Sequence, residues 1–130
     1  MLHNSFLMKN ENLKVNLNKR QREKLQTLLK LFKPEHYIYP GVLIRELNIS
    51  MKDAYIILNS LTEENLLKEV YEISCPNENR STGVLYENAL ELLNAEPILN
   101  CPTCDEVIDI RENNIAIYKV LKRINIIYEE

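Results

Sequence analysis

The 130-residue sequence is poor in the residues that most catalytic motifs are built from: it has two glycines, two histidines and no tryptophan. So few glycines leave no glycine-rich loop to cradle phosphate, and His3 and His36 do not form a pair at metal-ligand spacing. Without a recognisable catalytic constellation, the expectation is that the chain is not an enzyme. No apolar run approaches the roughly 18 residues of a membrane span, so no membrane partner is expected. Residues 1–8 lack a basic start and a small-residue cleavage site, unlike a signal peptide, and three cysteines, an odd number, do not suit a secreted disulfide scaffold. The expected location is cytoplasmic.

What is present fits one domain, or one domain with a small appendage. A 45% hydrophobic content is ordinary for a globular chain and sufficient for a core without disulfides. The formal net charge of -3 hides an uneven distribution. Residues 1–34 carry eight Lys or Arg against two Glu, and the rest carries eight against seventeen acidic groups. A basic arm on an acidic body can track a phosphate backbone; it can equally be a solvated helix face, or dock on an acidic surface of this chain or a second copy.

Taken in order, residues 1–16 are Asn-rich and aperiodic, which predicts a flexible N-terminal tail. Asn18 with Gln21 makes a capping box that opens a helix, Leu25, Leu28, Leu29 and Phe32 form its apolar stripe, and Pro34 ends it. Lys19, Arg20, Arg22 and Lys24 face outward from it. Residues 35–39 read as a short extended connection with Ile38 inward and His36 as a loop residue. Pro40 suits the first position of a second helix that buries Val42, Leu43 and Leu47. After a three-residue corner, Ser50 caps a third helix, with Asp53 placed to complete a capping box and Met51, Ala54, Leu58 and Leu61 on one face. Residues 66–74 then read as a strand.

Helix, tight turn, capped helix and strand over residues 40–74 resemble the winged helix-turn-helix superfamily, in order and pattern rather than in a diagnostic motif. The resemblance implies an α+β fold, a winged helix of three helices and a β-wing. Residues 17–74 are then its core, 75–112 an insert in the wing, and 113–130 the returning wing strand, pairing antiparallel with residues 68–74, and a C-terminal segment. About forty residues of insert are too many for a structureless loop.

The insert has its own organising device. Cys101-Pro102-Thr103-Cys104 has the spacing of a zinc knuckle, a tight turn that points two thiolates at one metal. Cys75-Pro76 starts a second knuckle whose other ligand position holds Glu78. The segment therefore resembles a degenerate zinc ribbon. Cys75, Cys101 and Cys104 with Glu78 form one ligand set, and Asp105 is another candidate for the fourth place. The opposing reading is a ribbon without metal, held by burying Val84, Leu85, Leu90, Leu92, Leu93, Ile98 and Leu99. A third, a reversible Cys101–Cys104 disulfide, has no thioredoxin-like pattern around it. Asn88 with Glu91 opens a short helix, and residues 82–86 and 107–110 are candidate ribbon strands.

In a DNA-reading winged helix the outer face of the third helix enters the major groove. Here Lys52 and Asn59 could reach bases and Tyr55 the backbone, while Lys19, Arg20, Arg22, Lys24 and Arg80 could supply phosphate contacts. Asp53 and Glu63 share the reading face, which has no arginine for guanine. The expected function is therefore a non-catalytic adaptor or accessory subunit of a multiprotein complex. Architecture alone points to bacterial machines of genome maintenance or phage defence, and the abundant Asn, Ile and Lys fit an AT-rich bacterial or phage genome. The alternative is a DNA-binding transcriptional regulator on double-stranded DNA. The apolar run Ile124, Ile126, Ile127 and Tyr128 either covers the helical core or contacts a protein partner, a homodimer included.

Overall fold

The computed structural model describes residues 5–8 and 15–128. The fold is mixed α+β, with four helices and eight strands among the described residues. Helices are α1 (Lys19–Lys30), α2 (Pro40–Leu47), α3 (Met51–Glu63) and α4 (Ala89–Asn94). Strands are β1 (Ser5–Met8), β2 (Tyr37–Ile38), β3 (Leu67–Cys75), β4 (Arg80–Tyr86), β5 (Ile98–Asn100), β6 (Val107–Asp109), β7 (Asn114–Val120) and β8 (Asn125–Tyr128). They form a four-stranded sheet in the order β2-β7-β3-β4 and two two-stranded sheets, β1-β8 and β5-β6. No helix among the described residues is long and apolar enough to cross a membrane.

The chain divides into two compact units, one of Met1–Lys68 with Tyr118–Glu130 and one of Glu69–Ile117. The boundaries between them fall inside β3 and β7.

In the first unit the local signals act as expected. The Asn18 side chain accepts from the Gln21 N–H at 2.8 Å and the Gln21 side chain accepts from the Asn18 N–H at 3.0 Å, a complete capping box on α1. Ser50 Oγ accepts from the Asp53 N–H at 3.1 Å, but this is the only half of the box that forms on α3. Asp is one methylene shorter than the Glu or Gln that closes a full box. Asn48, in the left-handed region at φ 55°, ends α2. Asn65, at φ 61°, turns the chain out of α3. Its N–H donates to the Thr62 C=O and that of Leu66 to the Leu61 C=O, the paired bonds of a Schellman cap.

The first core joins Leu25 and Leu29 of α1, Leu43 and Leu47 of α2, Ala54, Ile57, Leu58 and Leu61 of α3, Ile38 of β2, and Tyr118 and Val120 of β7. Met51, expected on the buried face of α3, is 63% exposed, and Ile57 takes its place inside. Val42 is only half-buried.

A further sequence expectation fails at the N-terminus of this unit. Ser5–Met8 is a strand parallel to β8, and Val15 and Leu17 are buried, so the segment read as a flexible tail is partly structured; residues 1–4 and 9–14 lie outside the described residues. Aperiodicity hid this because a four-residue strand paired to the distant C-terminal segment leaves no local pattern. Ile124 and Ile126 are buried in the first core, and the Gln26 side chain donates to the Ile126 C=O at 2.7 Å. They cover this unit's own core, the first of the two roles expected of the C-terminal apolar run, so their side chains are not surface for a partner. The side chains of Ile127 and Tyr128 lie outside those described.

In the sheet, the Leu121 N–H donates to the Leu66 C=O and the Ser74 N–H to the Asn113 C=O, at 2.9 Å each. One chain ascends as the other descends, so β7 returns antiparallel beside β3, as expected. The segment between them is organised as two hairpins. β4 pairs antiparallel with β3, and β5 with β6 through Ile98↔Asp109, Leu99↔Ile108 and Asn100↔Val107. The candidate strand at residues 82–86 therefore extends the four-stranded sheet, while residues 107–109 belong to a separate ribbon. An irregularity between Glu72 and Ser74 bends the first hairpin, with Gly83 at φ 83° and the Thr82 hydroxyl donating to the Ile73 C=O at 2.8 Å.

The second core consists of Ile73, Leu92, Ile108 and Ile110 with Cys75 and Cys101. Of the seven apolar residues expected to hold a metal-free ribbon, Leu92 alone is buried, while Leu90, Leu93 and Ile98 are more than half exposed. Alternation in a small hairpin buries one face only, and the sulfurs occupy much of that face.

Candidate metal centre

Each hairpin of the second unit ends in the same turn. In the first, Cys75-Pro76-Asn77-Glu78-Asn79, the Asn79 N–H donates to the Cys75 C=O at 2.7 Å. In the second, Cys101-Pro102-Thr103-Cys104-Asp105, the Asp105 N–H donates to the Cys101 C=O at 2.9 Å. Asn79 and Asp105 both sit in the left-handed region, at φ 53° and 61°. Asn and Asp tolerate that conformation better than other residues with a side chain, because their short polar groups can bond locally. Glu78 thus stands in the first turn where Cys104 stands in the second.

The two tips meet. One ligand atom from each of Cys75, Glu78, Cys101 and Cys104 lies within 4.8 Å of every other, so the four could hold a metal ion. The Cys75 and Cys104 sulfurs are 3.6 Å apart, and Cys101 Sγ donates to Glu78 Oε1 at 3.5 Å. A tetrahedral zinc with Zn–S bonds of about 2.3 Å spaces its sulfurs about 3.8 Å apart, so the observed separation already fits. Cys75 and Cys101 are buried, Cys104 half-buried, and the Glu78 side chain is 22% exposed. The site therefore opens on the side of Glu78 and Cys104. Asp105 is exposed and outside the cluster, because its place in the turn is set by the left-handed backbone rather than by ligation.

The electrostatics push two of the thiols in opposite directions. The backbone N–H groups of Cys104 and Thr103 face the Cys101 sulfur and hold its thiol below the usual thiol range. Cys104 is pushed the other way, to about 11: the Glu106 N–H lowers it, but desolvation and the bonds to the Cys75 and Cys101 sulfurs outweigh that. The neighbouring sulfurs oppose a negative charge on Cys104, and a bound dication would remove that opposition by supplying the missing charge.

Around this centre, Asn77 Nδ2 donates to Cys104 Sγ at 3.7 Å, and Arg80 Nη2 pairs with Glu78 Oε2 at 2.8 Å. Arg80, assigned to phosphate from sequence, is therefore held by the candidate ligand Glu78. The shared C-P-x-x-(N/D) pattern of the two turns was a signal for the second ligand pair, and the partner of Arg80 left none.

The remaining nucleic-acid candidates are dispersed. Lys19, Arg20 and Lys24 are exposed on α1, and Arg22 is half-buried. Arg20 and Lys24 border a depression of about 330 Å³ that also contains Glu46, and the Glu46 carboxylate lies 3.6 Å from the Lys24 ammonium. Lys52 is exposed at the start of α3. The half-buried Tyr55 ring lies 6.4 Å from that of Tyr118, tilted by 60°, and Asn59 accepts from the Tyr118 hydroxyl at 3.0 Å. Both residues face β7 in a way that alternation on a helix could not reveal. His36 is an exposed loop residue whose Nδ1 accepts from the Lys33 N–H at 3.1 Å, remote from any ligand cluster among the described residues. No family model, curated protein or solved structure matches this chain.

Proposed function

We propose that the chain is a non-catalytic adaptor or accessory subunit: a winged helix whose wing carries a zinc-stabilised ribbon. The observation that carries this is the tip-to-tip meeting of two turns of the same backbone form, which gathers three sulfurs and one carboxylate at ligand spacing. Three thiolates select a borderline-soft ion, and a four-ligand set without a free position is the pattern of a structural zinc. The winged-helix reading is supported by three helices in sequence followed by strands, with Tyr37 and Ile38 of β2 opposite Lys119 and Tyr118 of β7.

Adaptor stands ahead of DNA-binding regulator because the outer face of α3 is partly committed to the protein itself. Tyr55 packs by Tyr118 and Asn59 bonds it, leaving Lys52 as the one cation among the residues assigned to reading. Fluorescence anisotropy with a labelled random-sequence duplex from about 50 to 200 mM salt separates the two. No binding at the low-salt end is expected, and binding that falls steeply with salt would favour the regulator. A complex with a bacterial genome-maintenance or phage-defence assembly, or a homodimer, is the corresponding partner class.

A further inference from the structure

We infer that Arg80 is a positioning residue of the metal centre: it ties back one oxygen of Glu78 so that the carboxylate ligates a tetrahedral dication through the other oxygen alone. The inference rests on the metal-site reading and adds the coordination mode and the residue that sets it.

The two turns are equivalent in backbone, yet their second ligands are not equivalent in chemistry. A thiolate offers one atom, whereas a carboxylate offers two and can chelate, which would raise the coordination number above four. In this site the two oxygens are already distinguished. Glu78 Oε1 faces the Cys101 sulfur at 3.5 Å, and Oε2 is turned away onto Arg80 Nη2 at 2.8 Å. Ligating carboxylates elsewhere are oriented by outer partners of this kind, and losing such a partner weakens metal binding by about 10- to 100-fold.

Folding stability does not account for the pair. The Arg80 side chain is 61% exposed, and exposed ion pairs contribute little to stability. Charge does account for it. A dication with three thiolates and one carboxylate carries a net charge of about -2, and the guanidinium beside it brings the local sum to about -1. Replacing a thiolate by Glu thus comes with a cation two residues along the strand that fixes its geometry and offsets its charge.

The test uses the full chain, reduced and loaded with Co(II), whose visible ligand-field spectrum separates four- from five-coordination. The parent should show the intense bands of a tetrahedral centre together with thiolate charge transfer. Arg80→Ala should weaken those bands and lower Co(II) affinity about 10- to 100-fold. Arg80→Lys, which keeps one cationic donor, should restore the tetrahedral spectrum. In a Glu78→Ala background, Arg80→Ala should have no further effect, because it acts through Glu78. An Arg80→Ala protein with the parent's spectrum and affinity would overturn this role while leaving the metal site standing. An equal loss in the Glu78→Ala background would also overturn it. A parent chain that binds no Co(II) at all would overturn the metal-site reading, and this inference with it.

Discussion

Ile108 is the residue whose truncation most directly weighs the second core against the metal. It is fully buried, lies opposite Leu99 in the β5–β6 ribbon, and belongs to the cluster that contains Cys75 and Cys101. Ile108→Ala removes its outer methyl groups and leaves a cavity, at a cost of about 3 kcal/mol, within the range for such truncations. That should speed hydrogen exchange of protected amides in Glu69–Ile117 roughly 100-fold in the metal-free protein, at about 1.4 kcal/mol per tenfold. Zinc that binds only the folded unit, at about 1,000 times its dissociation constant, contributes about 4 kcal/mol. It should slow exchange in the variant roughly 1,000-fold and leave it better protected than the metal-free parent. The assay is exchange read by mass spectrometry on peptides of this unit, with and without a chelator. Exchange in the variant that is indifferent to zinc would refute the coupling of metal to this core. A truncation that changes exchange less than about threefold would refute the place of Ile108 within it.

Further outcomes test the first unit and the second. Asn59→Ala removes the acceptor of the Tyr118 hydroxyl and should cost about 1 kcal/mol in denaturant unfolding, with no cost when Tyr118 is already Phe. A full cost in both backgrounds would detach Asn59 from Tyr118. Tyr71 is raised to about 12, first by its hydrogen bond to Glu69, then by desolvation and the Glu69 charge. The fold therefore holds this proton more tightly than the unfolded chain does. The associated stability is present below about pH 10 and is lost as pH rises from there through about 12. Phenolate absorbance in the parent minus that in Tyr71→Phe should titrate near 12, and a difference centred near 10 would show that the Glu69 bond does not form in solution.

Much of the first unit was legible because its signals are local. Asn18, Pro40 and Ser50 start helices by satisfying or avoiding backbone donors nearby, and Leu25, Leu29, Leu43, Leu58 and Leu61 mark core faces by period. What escaped was long-range. The pairing of Ser5–Met8 with Asn125–Tyr128 depends on segments at opposite ends of the chain, and the burial of Ile124 and Ile126 follows from where that pairing puts them. In the second unit the cluster of Cys75, Glu78, Cys101 and Cys104 was legible from cysteine spacing, including Glu78 in the place of a cysteine. The core was not, because apolar content alone cannot tell which face of a short hairpin turns inward. Leu90, Leu93 and Ile98 point outward, while Ile73, Ile108 and Ile110 gather with the sulfurs. The pairing of Arg80 with Glu78 was not legible either: a lone arginine reads as a phosphate contact until its carboxylate partner is in view.

On the proposed reading, Cys75, Cys101, Cys104 and Glu78 hold one zinc. X-ray absorption at the zinc edge on the purified, reduced protein tests it directly, because it counts sulfur and oxygen neighbours separately. One zinc per chain is expected, with three sulfurs at about 2.3 Å and one oxygen at about 2.0 Å. Absence of zinc from protein prepared without chelator, or a shell lacking three sulfurs, would contradict it.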